Sequence, residues 1–98
     1  MQTLTKQPAE VVLFNFDFAA VIASSASISS ISSITNTNCG VVAGSTNIST
    51  SSNAFSGRIA QTLVSAGQHG ESYKLTCRVV DSVGQTHELD GLIEVIEL

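Results

Sequence analysis

The chain has 98 residues, of which 43% are hydrophobic and only 12% are charged, and its net charge is −4. A chain of this length is expected to form one domain over residues 1–98. Its share of charged residues is about half that of an average soluble domain, which suits either close packing against other subunits or a merely neutral surface. The four lysines and arginines form no basic stripe, and no apolar run approaches the ~20 residues of a membrane span, so neither nucleic acid nor a membrane is an expected partner.

The N-terminal region combines a polar arm with the first apolar segment. Residues 1–8 are predicted to be an N-terminal arm, either loose or extending a sheet edge, because Pro8 closes them and carries no amide donor. Residues 9–22 are predicted to form the first strand, since β-branched and aromatic residues dominate them. Within this strand, Val12 and three phenylalanines alternate with Leu13, Asn15 and Asp17.

Residues 23–57 are rich in serine, threonine, asparagine and glycine, yet isoleucines recur among them. We predict short strands joined by polar loops, because a disordered linker would lack such apolar anchors. The three-residue spacing of Ile28, Ile31 and Ile34 fits neither a helix nor a strand and therefore predicts a bulge or a turn. A helix is disfavoured because serine competes for backbone hydrogen bonds and isoleucine is stiff at its first side-chain torsion.

The polar loops predicted between residues 35 and 57, together with the arm, are the expected partner surface. They carry many uncharged hydrogen-bonding groups that a small core does not need, and an ordered serine-rich loop has to recover its entropy from a neighbouring subunit. The alternative is that these loops are flexible, solvent-exposed connections. The candidate partner contacts are Asn36, Asn38, Ser45, Asn47, Ser51 and Asn53.

Residues 58–98 are predicted to form three strands separated by turns. The middle strand alternates clearly, with Lys74 and Arg78 facing outward and a core-facing set formed by Tyr73, Leu75, Cys77 and Val79. Asp81 supplies a side-chain acceptor and Gly84 a positive φ, as a hairpin turn requires. Gly91 interrupts the last strand and predicts a bulge or a close backbone approach there.

The C-terminal third resembles a known superfamily. The run GESYKLTCRVVDSVGQ, followed by an alternating terminal strand, is similar to the last two strands of immunoglobulin-like sandwiches. The resemblance implies an all-β, antiparallel sandwich of about seven strands. It implies that Tyr73 is a corner tyrosine whose hydroxyl bonds back to the backbone, that Gly70 allows the preceding turn, and that Cys77 and Gly84 are structural. The buried tryptophan of antibody domains is absent.

A narrower resemblance covers most of the chain. The order KQPAEVVLFNFDF, a serine-threonine middle and LVSAGQHGESYKLTCRV is similar to a group of small virion structural proteins of tailed bacteriophages. This resemblance implies a particle component, such as a capsid decoration or head-to-tail accessory protein.

The sequence holds no recognisable catalytic, cofactor or metal-binding motif. No local motif places His69 or His87 beside a nucleophile, and both are expected to be exposed, structural histidines. Cys39 and Cys77 lie outside metal-ligand spacings and are expected to be free thiols in the cytoplasm. A solvated or edge-protecting face, rather than a calcium site, is expected from the carboxylates Glu88, Asp90, Glu94 and Glu97.

These observations favour a virion structural protein over an enzyme. The leading hypothesis is a capsid decoration or minor head protein that binds the major capsid shell; the alternatives are a head-to-tail or tail accessory protein and a free adhesive module that binds carbohydrate or a receptor. Expected partners are phage structural proteins, capsid or neck subunits, and copies of the chain itself, without a cofactor. Lys6, Glu10 and Asp17 interrupt any signal peptide, so we expect synthesis in the host cytoplasm and incorporation into the virion.

Overall fold

The computed structural model describes residues 2–39 and 48–97, and these residues form seven strands and no helix. The strands are β1 (Gln2–Lys6), β2 (Val12–Asp17), β3 (Ile28–Cys39), β4 (Ile48–Ser56), β5 (Ile59–Ala66), β6 (Ser72–Asp81) and β7 (Thr86–Val95). They form a four-stranded sheet in the order β1-β7-β6-β3 and a three-stranded sheet in the order β2-β5-β4. No helix in the described ranges is long and apolar enough to cross a membrane.

The predicted all-β sandwich of about seven strands is confirmed. In an immunoglobulin constant-type domain, the first, second, fourth and fifth strands share one sheet, and the third, sixth and seventh share the other. The chain follows this division except for β1, which lies beside β7 and runs parallel to it. The other strand pairs are antiparallel. The predicted arm thus includes a strand that extends one sheet edge.

The core lies between the two sheets and follows the predicted alternation. The residues of β6 that were expected to face inward are all fully buried, and in β2 the phenylalanines are buried while Leu13, Asn15 and Asp17 are exposed. Apolar burial of this kind is the main favourable term in folding. The buried core consists of Phe14, Phe16, Phe18, Ile22, Ile28, Ile48, Ala60, Val64, Tyr73, Leu75, Cys77, Val79, Ile93 and Val95.

The first strand is shorter than the sequence predicts. β2 ends at Asp17, and the chain then turns, because the amides of Val21 and Ile22 both donate to the carbonyl of Phe18. Ile22 is nevertheless buried, so an apolar residue that suggests a continuing strand in fact anchors a turn to the core.

For residues 23–57, strands are present as predicted, but the prediction that they are short is wrong; residues 23–27 lie outside the strands. Strand β3 has 12 residues and β4 has 9. The predicted irregularity at the isoleucines is confirmed, because β3 shifts register against β6 between Ile28 and Ser30 and again between Ile31 and Ser33. In a regular strand every second residue faces the core, and each register shift inserts one extra residue. Isoleucines three residues apart therefore all face the core side.

The region around Gly91 joins the two sheets closely. A Cβ atom at Gly91 would lie 2.4 Å from the ring of Phe14, which packs across the core from β2. The pairing of β7 with β6 runs through Gly91 without a register shift. The predicted close approach is therefore made by a phenylalanine ring, and the predicted bulge is absent from this strand pair.

Candidate interaction surface

The candidate partner contacts lie on two strands at the same side of the sandwich. Asn36 and Asn38 belong to β3, and Ser51 and Asn53 belong to β4. Strands β3 and β4 are the end strands of their respective sheets. Ser45 and Asn47 lie outside the described residues. The expectation that the contacts sit on loops is wrong for the four described positions, which are held on strands.

Two of these asparagines make contacts within the chain. The Nδ2 of Asn36 donates to the carbonyl of Ile48 at 3.5 Å, which links β3 to the start of β4. The Oδ1 of Asn53 accepts from the Oγ1 of Thr62 at 2.7 Å, and the same hydroxyl lies 3.2 Å from the carbonyl of Ser51. The second contact closes an irregularity in β4, where the register shifts between Ser51 and Ala54 and Ser52 has a φ of 52°.

Charge is unevenly distributed among the strands. From residue 18 to residue 57 the sequence has no Asp, Glu, Lys or Arg, so β3 and β4 are uncharged. Asp17 is the single ionisable side chain on the three strands of the three-stranded sheet. The other charged strand residues lie in the four-stranded sheet, on β1, β6 and β7.

The outer face of the four-stranded sheet is organised by cross-strand polar pairs. Arg78 and Glu88 are partners in the β6–β7 register and form an exposed salt bridge of 2.8 Å. Thr76 donates a hydrogen bond of 2.7 Å to Asp90 on the same pair of strands. β1 pairs with Gly91–Val95 of β7, so it covers the strand at Glu94 and that carboxylate does not protect a sheet edge. Glu88 and Asp90 precede this stretch and have no β1 partner among the described residues, so the expectation of a solvated or edge-protecting face stands for them.

The outer face of the three-stranded sheet is less polar. Leu13 on β2 and Leu63 on β5 are cross-strand neighbours, and Leu13 is 48% exposed. Val11 and Ile59, near the ends of the same strands, are also exposed. Serines occupy the neighbouring positions of β4, including Ser51 opposite Leu63. This face therefore offers apolar and neutral polar groups, and charge is depleted from the cores of protein interfaces in the same way.

The corner before β6 is built around Tyr73. Its ring is fully buried, and its hydroxyl donates a 2.5 Å hydrogen bond to the carboxylate of Glu71, which is itself buried. The pKa of Tyr73 is raised to about 12, mainly by burial and further by the hydrogen bond to Glu71 and the charge of that carboxylate. A backbone hydrogen bond from Gln68 acts in the opposite direction and lowers the pKa. Gly70, with a φ of 84°, lies in the turn ahead of this tyrosine.

Glu71 is a partner that the sequence analysis does not identify. The resemblance implies that the hydroxyl of the corner tyrosine bonds back to the backbone, and here the tyrosine engages both the backbone of Gln68 and a buried carboxylate. The end of β7 is joined to the corner, since the amide of Val95 donates to the carbonyl of Glu71 and the amide of Gly70 donates to the carbonyl of Val95.

The turn between β6 and β7 is organised by Asp81. Its Oδ1 accepts from the amides of Val83 and Gln85, and its Oδ2 lies 2.9 Å from the Nε2 of His87. Burial alone would raise the pKa of the Asp81 carboxyl, but the hydrogen bonds from His87 and from these amides outweigh it and lower the pKa. Gly84, with a φ of 89°, completes the turn.

The histidines and cysteines take structural positions. His87 is only partly exposed and is bound to Asp81, so the expectation of an exposed histidine is wrong for this residue. His69 is exposed, and its Nδ1 accepts a hydrogen bond from the amide of Glu97. Cys77 is a free, buried thiol, and burial raises its pKa to about 11. Within residues 2–39 and 48–97, no three His, Cys, Asp or Glu side chains are grouped so as to hold a metal ion.

Lys6 is a buried cation that the sequence analysis also does not identify. Its Nζ donates to the carbonyls of Ala66 and Gln7, both at 2.7 Å, and to that of Pro8 at 3.3 Å. Burial lowers the pKa of Lys6, while the nearby charge of Glu10 acts to raise it. The ammonium group thus ties the turn after β1 to the end of β5.

Comparison with protein families identifies one match. Residues 6–94 match the model of the family described as podophage GP4 fiber-tail adaptor protein gp77. The matched segment begins at the last residue of β1 and includes β2 to β6 in full. Among curated proteins, no match is found.

Proposed function

This chain belongs to the podophage GP4 fiber-tail adaptor protein gp77 family, and from that membership we propose that it joins a tail fibre to the tail of a phage particle. The family makes it a phage structural protein and a component of the virion, with other phage structural proteins as partners. The match favours the tail accessory role over the capsid decoration role that leads the sequence analysis. The partners that we propose are accordingly fibre and tail subunits in place of capsid subunits.

The family match carries the proposal, and the uneven distribution of charge on the sandwich supports it. An adaptor has to bind two different partners at once, and therefore needs two surfaces with different chemistry. The outer face of β6 and β7 presents charged side chains, among them the Arg78–Glu88 pair, whereas β3, β4 and the face around Leu13 present neutral groups. Surfaces that differ in this way discriminate between partners, because a charge facing an unmatched neutral surface is desolvated without compensation.

We infer that the chain acts by binding and catalyses no reaction. The residues best suited to acid–base chemistry are engaged in holding the fold: His87 closes the β6–β7 turn with Asp81, and His69 accepts from the amide of Glu97. The carboxylate of Glu71 accepts from Tyr73 inside the core.

The adaptor role is tested with phage that carry a stop codon in the gene for this chain. We expect particles with normal heads and tails but without attached fibres in electron micrographs. Addition of the purified chain together with purified fibres should restore attachment, whereas addition of fibres alone should not. Particles that carry a normal complement of fibres in the absence of the chain would contradict the proposal.

A second arm of the same experiment separates the adaptor role from capsid decoration. Purified chain is mixed with fibreless tails and, separately, with empty capsid shells. The proposal expects sedimentation with tails or fibres and none with shells, while the reverse result would restore the capsid reading.

A further inference from the structure

The four sheet edges of this sandwich are not equally protected against pairing with another chain. The edges formed by β1 and β2 carry the usual protection, since β1 has five residues and buries Lys6, Pro8 follows it, and β2 ends at Asp17. Inward-pointing charge, proline and short length all discourage the addition of a strand to a sheet edge. The edges formed by β3 and β4 are longer and contain neither charge nor proline.

Of these two edges, β3 is the one suited to accept a strand. The register of β4 breaks between Ser51 and Ala54, with Ser52 at positive φ, so its edge is interrupted. In β3 both register shifts precede Ser33, and residues 33–39 then pair with β6 without interruption. A bulge twists an edge away from pairing, and seven regular residues present a straight row of backbone groups.

The hydrogen-bonding edge of β3 is distinct from its contact with β4. Asn36 is the register partner of Leu75, which faces the core, so the side chain of Asn36 is directed toward the other sheet and reaches the carbonyl of Ile48 there. Among the described residues, β3 forms ladder pairs with β6 alone. Thr35 is exposed on the opposite, outer face, as the partner of Thr76.

We propose that residues 33–39 of β3 accept an extended, uncharged segment of another virion subunit as an added strand. The inference rests on the proposed adaptor function, which requires that another subunit be bound. It specifies that the subunit binds by strand addition. Strand addition gives affinity through main-chain hydrogen bonds, and an added strand lies ~4.8 Å from the strand that it joins. The neutrality of β3 selects a neutral segment, because a charge laid against it would lose water without gaining a partner.

Amide hydrogen exchange gives the signature of this mode. Along an end strand, amides point alternately to the neighbouring strand and to solvent, so residues 33–39 of the free chain should alternate between slow and fast exchange. In complex with fibreless tails or with purified fibres, residue-resolved mass spectrometry should show the fast set becoming slow as well. Alternation that persists in the complex would overturn strand addition.

A matched pair of variants tests the location. Thr35→Lys and Thr5→Lys each add a lysine at an exposed threonine on the outer face of an end strand in the same sheet, on β3 and β1 respectively. Circular dichroism and thermal unfolding check that both variants remain folded. We expect Thr35→Lys to weaken binding to fibreless tails or fibres by about tenfold or more, and Thr5→Lys to bind like the unaltered chain.

The outcomes separate this inference from the adaptor function. If the unaltered chain binds tails or fibres and Thr35→Lys binds equally well, the edge inference fails and the adaptor function stands. If the unaltered chain binds neither, the adaptor function fails and the edge inference fails with it. If light scattering shows a dimer of the isolated chain that Thr35→Lys dissociates, the occupant is a second copy and the proposed partner is wrong.

Discussion

Asp81 concentrates the polar interactions of the β6–β7 turn in one carboxylate. Two backbone amides and one imidazole converge on it, and the residue is buried. A buried carboxylate is tolerated where hydrogen bonds satisfy the charged form, and those bonds make the charged form the more favourable one. The turn should therefore be sensitive to protonation of this one group.

The pH dependence follows from the sign of that shift. The folded-state pKa of Asp81 lies below its unfolded value of about 3.9, so its contribution to stability is complete above that value and is lost as the pH falls through the folded pKa. Asp81→Asn should lower stability at neutral pH and flatten the loss of stability between about pH 5 and pH 2. Urea denaturation across this range measures both effects. Asp17→Asn, on an exposed carboxylate, is the control, and an equal flattening there would contradict the assignment.

Tyr73→Phe removes one hydroxyl from the corner and leaves the ring in place. We expect a loss of about 1–2 kcal/mol in the free energy of unfolding, because the buried Glu71 carboxylate loses the hydrogen bond that the Tyr73 hydroxyl donates. Glu71→Gln keeps an acceptor for the hydroxyl and should cost less. An unchanged melting temperature for Tyr73→Phe would show that the corner hydrogen bond contributes nothing to the fold.

Cys77 should be inert in the folded protein. Its thiol is buried with a pKa of about 11, so native-state alkylation near pH 8 should modify it only after denaturation. We expect no Cys39–Cys77 disulfide, because the backbone register pairs Cys77 with Ile34 and Cys39 with Ser72. Five residues of strand separate the two positions by roughly 17 Å, beyond the ~7 Å limit for a disulfide. Mass spectrometry of alkylated, non-reduced protein would detect a bridge if one formed.

The sequence predicts the surroundings of some residues and not those of others. Tyr73 and Asp81 stand in local patterns, an alternating strand and a turn, and those patterns predict their positions. Lys6 and Glu71 are charged residues in polar segments, and a polar segment indicates exposure. Their burial results from contacts with Ala66 and Tyr73, and the first of these is a contact distant in sequence.

Among the strands, β2 and β7 pack closely across the core at Phe14 and Gly91. The ring of Phe14 occupies the space that a side chain at Gly91 would need. The spacing of the sheets at this point is therefore set by a large residue on one strand and the absence of a side chain on the other.

Gly91→Ala should destabilise the sandwich by about 2–3 kcal/mol, since the new methyl group overlaps the ring of Phe14 and the core is close-packed. In the Phe14→Leu background the same change should cost clearly less, which a double-mutant cycle in urea measures. Gly84→Ala is the control: it meets no atom within 4 Å and should cost about 1 kcal/mol through its positive φ, independently of Phe14. Additive losses for Gly91→Ala and Phe14→Leu would contradict the proposed overlap.

The strands of the C-terminal half are predictable because alternation and turn residues agree there. In β3 the isoleucine spacing predicts the irregularity, but serine content suggests loops, so the length of the strand is missed. Serine is acceptable on an exposed edge strand that is paired on one side, as β3 is with β6. The sequence does not reveal which strands become edges, since that depends on the order of strands in the sheets.

At the scale of the whole molecule, the uncharged middle of the chain becomes a contiguous region. Residues 28–39 and 48–56 are separated in sequence, yet sheet order brings β3 and β4 to the same side of the sandwich. The sequence predicts that this stretch carries partner contacts. The division into one charged face and one neutral side comes from the topology, which composition alone does not determine.

The parallel pairing of β1 with β7 determines how the protein responds to tension. A pull on the start of β1 and the end of β7 draws these strands in opposite directions along their length, so the five register pairs from Gln2–Gly91 to Lys6–Val95 are loaded together. An antiparallel pair pulled from one end opens one pair at a time. We therefore expect a single-molecule pull through Gln2 and Val95 to require a higher force than a pull through Ser72 and Glu94, neighbours at one end of the β6–β7 pair. Equal rupture forces in the two geometries would show that the ladder is not loaded in shear.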